Sequence, residues 1–203
     1  MRVRGTRNLF CQCLILLVLL TQPAILHAQP VIHHEIKISL QPDQHQLEVE
    51  DSIRFSETDL RSVKGGLAFA LHRGLQPVSL TPGVKIVQEK FVPPSIALHI
   101  RSDILLDDTI PLDYFTVTLP PGVNTYVVKY QGEINHPIRQ HGEEYARSFS
   151  ETPGIISSEG IFLGGTSFWY PWFNGDLVSF SLKVGLPSGW DAVSQGERTL
   201  HVD

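Results

Sequence analysis

Nine histidines run through the 203 residues, eight of them beyond residue 28, and they are the side chains best suited to hold a metal or move a proton. A two-histidine zinc site on a helix needs its ligands four residues apart, with the glutamate base between them. Here His34-Glu35 continues as Ile36-Lys37-Ile38, so the second ligand is absent. The same segment alternates apolar and polar residues, which throws His33 and His34 onto opposite faces of an extended chain. His72, His99, His136 and His141 stand alone in sequence and read as solvated or hydrogen-bonded structural histidines. The nearest approach to a serine nucleophile elbow, Gly165-Thr166-Ser167-Phe168-Trp169, lacks the second glycine and any following helix. Gly65-Gly66 and Gly164-Gly165 precede strands or turns, where no helix N-terminus is on hand to cradle a phosphate. The carboxylate pairs Glu50-Asp51, Asp107-Asp108 and Glu143-Glu144 read as solvated faces. Glycosidase chemistry would need carboxyls held roughly 5 to 9 Å apart across a sugar, which adjacency does not supply. No catalytic residue and no metal-ligand set is assigned.

The most informative stretch is residues 159–173, EGIFLGGTSFWYPWF. Trp169, Tyr170 and Trp172 crowd around Pro171 behind two glycines. Such a cluster is either a core plug where a strand ends and bends, or an aromatic platform for a sugar ring or an apolar side chain.

These residues must be positioned by strands. Ile32, His34, Ile36, Ile38 and Leu40 fall on one side of an extended chain, with His33, Glu35, Lys37 and Ser39 on the other. After Gln41-Pro42-Asp43 the alternation resumes with Leu47, Val49, Ile53 and Phe55, the pattern of an antiparallel hairpin with one wet face. Further strands are expected over residues 66–71, 84–88, 96–101, 113–119, 125–134, 178–186 and 190–195, separated by Gly/Pro turns. Nothing reads as a long amphipathic helix. The predicted fold is all-β, an antiparallel β-sandwich or a strongly curved, saddle-like sheet of roughly nine short strands. Residues 136–158 break the rhythm as a long polar segment, a mobile insertion or a binding loop, with one helical turn expected at residues 143–148.

Three arginines (Arg2, Arg4, Arg7), an apolar run over residues 9–20 and a small residue at Ala28 have the order of a secretory signal peptide. The run is short for a bilayer-spanning helix, which needs about 20 residues, although an uncleaved leader would act as an anchor. Cleavage after Ala28 leaves residues 29–203 as one domain without cysteine, since Cys11 and Cys13 lie in the leader. An exported domain without disulfides is held by its core. The leader removes three of sixteen basic residues and none of the twenty-one acids, so thirteen remain against twenty-one and the net charge is near −8. That balance excludes a nucleic-acid partner, whose phosphates demand a basic face, and argues against an anionic membrane surface once the leader is gone.

The acid-Gly-aromatic-Leu run followed by Trp-Tyr-Pro (residues 159–173), the Phe-x-Leu-x-Val-x-Leu-Pro strand (residues 180–187) and Gly-Trp-x-Ala-Val-Ser-x-Gly (residues 189–196) together resemble the amino-terminal β-domain of zinc aminopeptidases. The likeness is to exported bacterial members of the aminopeptidase N family. The opening hairpin, with its Pro-Asp turn and Val-x-Asp-x-Ile strand, is similar to the start of that domain. The resemblance implies a non-catalytic front domain of a periplasmic or extracellular protein. It would cap the catalytic domain of the same parent polypeptide and line the substrate cleft. Zinc is expected only in that following domain, and peptide substrate is met only through the parent. The chain stops at Asp203, before a His-Glu-x-x-His helix begins, which implies a partial product. Glu159, just ahead of the Trp-Tyr-Pro segment, is the residue the resemblance implies for the subsite of the substrate's free amine. The alternative is a stand-alone exported module that binds carbohydrate or peptide.

Overall fold

The computed structural model describes residues 31–56, 66–97, 111–141, 149–173 and 177–201. The chain forms β1 (Val31–Gln41), β2 (Gln46–Arg54), β3 (Leu67–His72), β4 (Val78–Ser79), β5 (Lys85–Glu89), α1 (Pro94–Ala97), β6 (Leu112–Thr118), β7 (Thr125–Glu133), β8 (Arg139–His141), β9 (Phe149–Glu151), β10 (Ile155–Ser157), β11 (Gly160–Phe162) and β12 (Leu177–Gly185). The all-β expectation holds. A five-stranded sheet has the order β12-β1-β2-β7-β4, a three-stranded sheet the order β3-β6-β5, and β8-β9 and β10-β11 are two-stranded pairs.

Alternation drives this arrangement. Ile32, His34, Ile36, Ile38 and Leu40 of β1 are all buried, as are Leu47, Val49, Asp51 and Ile53 of β2 and Tyr126, Val128 and Tyr130 of β7. Leu67, Phe69, Leu71, Phe115 and Val117 of the smaller sheet join them in one core. Strand β3 is buried on both faces, because Ala68 and Ala70 point to a second cluster with Ile96, Leu112 and Phe168. Small side chains at those two positions leave room for aromatic rings laid against the strand.

Phe173 joins the two sheets. Its ring meets Phe55 of the larger sheet edge-on at 5.2 Å and Phe69 of the smaller at 5.3 Å. It is held there by its neighbour, since Trp172 exchanges backbone hydrogen bonds of 2.9 and 3.0 Å with Ala70.

Four details depart from the sequence expectation. Residues 94–97 form a helical turn where a strand was expected over 96–101: proline at its first position presets φ, and Pro93 O accepts the amides of Ile96 and Ala97, both at 2.9 Å. Residues 98–101 lie outside the described residues, as does the turn expected at 143–148. Residues 190–195 are irregular and mostly exposed, without a strand partner among the described residues. The polar segment 136–158 contains three short strands among its described residues, β8, β9 and β10. Finally, β12 lies at the sheet edge parallel to β1, so its pattern is only half used: Leu182, Val184 and Leu186 pack on the core while Val178 and Phe180 stand exposed.

Two substitutions test this packing. Phe173→Ala should lower unfolding free energy by about 3–5 kcal/mol, the usual range for a buried phenylalanine, as measured by urea denaturation. Gly154→Ala should cost about 1–3 kcal/mol on the same assay. An added Cβ there would sit 2.7 Å from Ser167 Cβ and 3.0 Å from Ile134 Cγ2, which wedges the β7 exit away from the turn at 165–167.

Candidate functional site

The aromatic segment is built by a tight hairpin and a turn. Strands β10 and β11 pair through Ser157–Gly160, and Ser157 Oγ donates to Gly160 O at 3.0 Å. Glu159 occupies the two-residue turn between them, exposed to solvent. The chain then makes a 3-10 turn over Gly165–Ser167, where Ser167 Oγ donates to Gly164 O at 2.5 Å, and Phe168 adopts a left-handed φ of 49°. That reversal sends the following rings in two directions. Trp169 and Tyr170 meet edge to face at 5.2 Å and pack on the main core, whereas Trp172 meets Phe168 at 6.0 Å over β3. The three rings therefore do not share one flat face. Tyr170 and Trp172, but not Trp169, line a shallow depression together with Ile32, His34, Pro171, Phe173 and Val178.

Beneath the depression lies a pair that sequence reasoning missed. His34 Nδ1 and Asp51 Oδ2 are 2.7 Å apart, with both side chains buried. With Asp51 ionised, His34 Nδ1–H is the donor. Asp51 was expected on a solvated face beside Glu50, and the structure corrects this: Glu50 faces outward to Lys37 at 2.8 Å, while Asp51 takes the inward slot between Val49 and Ile53. The signal was present, because Leu47, Val49, Asp51 and Ile53 share one parity in the strand. Burial raises the Asp51 carboxyl above its ordinary range, against the opposing hydrogen bond from His34. Burial likewise pushes the phenols of Tyr126 and Tyr130 well up, with Asp51 adding to the effect, so both stay neutral. Asp51 Oδ1 and the two phenolic oxygens have no hydrogen-bond partner among the described residues. The His34 ring is wedged between this polar interior and Tyr170, which it meets edge-on at 5.6 Å.

A second pair joins two histidines that stand alone in sequence. His72, at the end of β3, and His136, three residues past β7, bring their Nε2 atoms to 2.7 Å. Their 64-residue separation gives sequence patterning nothing to find. Burial, then the neighbouring His136, pulls His72 down to about 4, and burial with the Arg139 charge lowers His136. Both are thus neutral at pH 7.

The other residues of chemical interest do not converge on these. His33 contacts Ser179 Oγ at 2.9 Å, and His45 donates Nδ1–H to Ile156 O at 2.6 Å. Among the described residues no group of three or more His, Cys, Asp or Glu gathers as a metal cage. His99, Asp107, Asp108, Glu143 and Glu144 lie outside the described residues. No helix among the described residues is long and apolar enough to cross a membrane.

The buried pair makes a direct prediction. His34→Leu strands the Asp51 carboxylate and should cost about 3–5 kcal/mol in urea unfolding, whereas the double change His34→Leu/Asp51→Val removes both polar groups and should recover most of that loss. A double variant as unstable as the single one would show that the pair contributes more than its own compensation.

Comparison with protein-family models, with curated proteins and with solved structures finds no match to this chain.

Proposed function

We propose that the chain is a non-catalytic β-domain of an exported zinc aminopeptidase-like protein, standing ahead of the catalytic domain, capping it and lining its substrate cleft. The observation that carries this reading is the outer edge of the larger sheet. Leu177, Val178 and Phe180 are exposed along β12, an edge strand whose far end, Leu182 to Leu186, is anchored in the core. An apolar edge with unpaired backbone groups is a liability in an isolated domain and an asset where another domain covers it. This strand is also the Phe-x-Leu-x-Val-x-Leu-Pro element of the family resemblance. On this reading Trp169, Tyr170 and Trp172 hold the end of the domain that meets the cleft. Glu159, exposed in its turn, is the polar residue offered to the substrate's free amine. Zinc and its chemistry reside in the following domain, and export places the whole in the periplasm or outside the cell.

A second reading, a stand-alone module that binds carbohydrate or peptide, is favoured by the depression walled by Tyr170, Pro171 and Trp172. The reading frame beyond the Asp203 codon separates the two. It is expected to continue into a helix carrying His-Glu-x-x-His. A stop codon there, together with saturable binding of a peptide or oligosaccharide by purified residues 29–203 in calorimetry, would overturn the first reading in favour of the second.

A further inference from the structure

The His72–His136 contact crosses at the rim of the core, where Leu71 and Leu75 flank His72 and Ile134 lies two residues before His136. His72 ends β3, its amide donating to Phe168 O at 2.8 Å. His136 lies at the base of the β8–β9 pair, where its amide donates to Gly154 O at 3.0 Å and its carbonyl accepts Thr152 Oγ1 at 3.1 Å. The proton positions follow from the partners. His72 Nδ1 faces Arg73 O at 2.9 Å, and a carbonyl only accepts, so Nδ1 carries the hydrogen and Nε2 of the neutral ring is bare. The hydrogen between the rings must therefore belong to His136 Nε2. Ring centres 5.1 Å apart place the two nitrogens nearly head on, the geometry of one shared proton.

We infer that His72 and His136 form an acid-operated latch that ties the base of the β8–β9 pair to the end of β3, closed by one proton between the rings and opened when both rings become cationic. A first added proton goes to Nδ1 of His136. It leaves the Nε2–H donating to His72 and strengthens the bond by giving it a charged donor. A second proton has only His72 Nε2 to occupy. Two N–H groups and two positive charges would then face each other across 2.7 Å, and the contact cannot persist. The surrounding charges are few. Arg73, from the turn after β3, opposes protonation of His72, while Asp113 on β6 favours it, although Arg73 holds Asp113 at 3.5 Å. Arg139 on β8 opposes protonation of His136. His45, which reaches the same segment through Ile156 O, donates its Nδ1–H in either charge state and so does not reverse with pH. Because burial holds His72 down to about 4, the second proton arrives only in distinctly acidic solution. This device is independent of what the domain caps or binds.

Hydrogen exchange of the full chain, corrected for intrinsic rates, reads the latch locally. A local readout is needed because Asp51 has the opposite sign. Its raised pKa adds stability as pH falls, whereas the depressed His72 loses stability as pH falls from its unfolded value towards 4, so a global melt mixes the two. Between pH 6.5 and 3.5 the amides of His136 and Ile156 should lose protection by about tenfold relative to those of β1 and β2. In His136→Gln the side-chain amide donates to bare His72 Nε2 and, turned over, accepts from the protonated one, so the acid-induced loss should vanish. In His72→Asn, which keeps the bond to Arg73 O but lacks Nε2, protection should be low at both pH values; His136→Ala gives the same test should that variant not fold. No acid-induced change in the wild type, or an undiminished change in His136→Gln, would overturn the inference.

Discussion

The contact between Phe173 and the two phenylalanines Phe55 and Phe69 is the joint on which the architecture turns. Each sheet alone has one apolar face and would be unstable in water; packed on a shared core they form a domain. A single ring can reach both sheets only if the chain carrying it runs along the seam. The residues before it arrange this. The left-handed Phe168 reverses the chain, and Trp172 then pairs with Ala70 as an additional bridge on β3. Alanines at 68 and 70 are what let the indole and the Phe168 ring lie so close to the strand. Larger residues there would push the segment away and lift Phe173 out of the joint.

The same core carries a cost that the register explains. His34 opposes Ile53 and Asp51 opposes Ile36 in the β1–β2 ladder, so the two polar side chains lie diagonally on one inward face. A slip of β2 by one residue would turn Asp51 outward, together with every apolar residue of β2, and leave His34 buried without it. Their mutual hydrogen bond therefore belongs to one register and lowers the cost of burying each group in only that register. Asp51 Oδ1 and the phenols of Tyr126 and Tyr130 add polar atoms to an interior otherwise filled with aliphatic and aromatic groups.

Strand content was legible because alternation is local: β1, β2, β3, β5, β6, β7 and β12 were all anticipated to within a residue or two. What escaped was whatever depends on a distant partner. The polar segment 136–158 holds no apolar alternation, yet its described residues include the β8–β9 pair, closed by a bridge between Asn135 and Ile155. Residues 190–195 follow the Pro187–Gly189 turn as a strand was expected to, but no strand pairs with them among the described residues. Proline decided residues 94–97, where a preset φ and an available carbonyl won over strand propensity. The aromatic run was visible in the sequence, but the directions its rings take follow a left-handed residue, Phe168, that sequence does not announce. Of the two histidine pairs, one was readable in principle from the parity of Asp51 and the other was not, since only the tertiary fold brings His72 to His136.

His34 links the interior to the surface. Its imidazole is bonded to Asp51 on one side and touches Tyr170 and Phe173 on the other, and it forms part of the floor of the depression beside Val178. The floor is thus fixed by the β1–β2 register rather than by a loop, and the exposed edge of β12 begins at its rim. A surface with a rigid floor and an apolar border is pre-organised, so little ordering is required when a partner covers it. The depression is shallow, while the apolar edge of β12 continues past it to Phe180. The buried polar pair, costly for stability, thereby holds the floor of the depression in place.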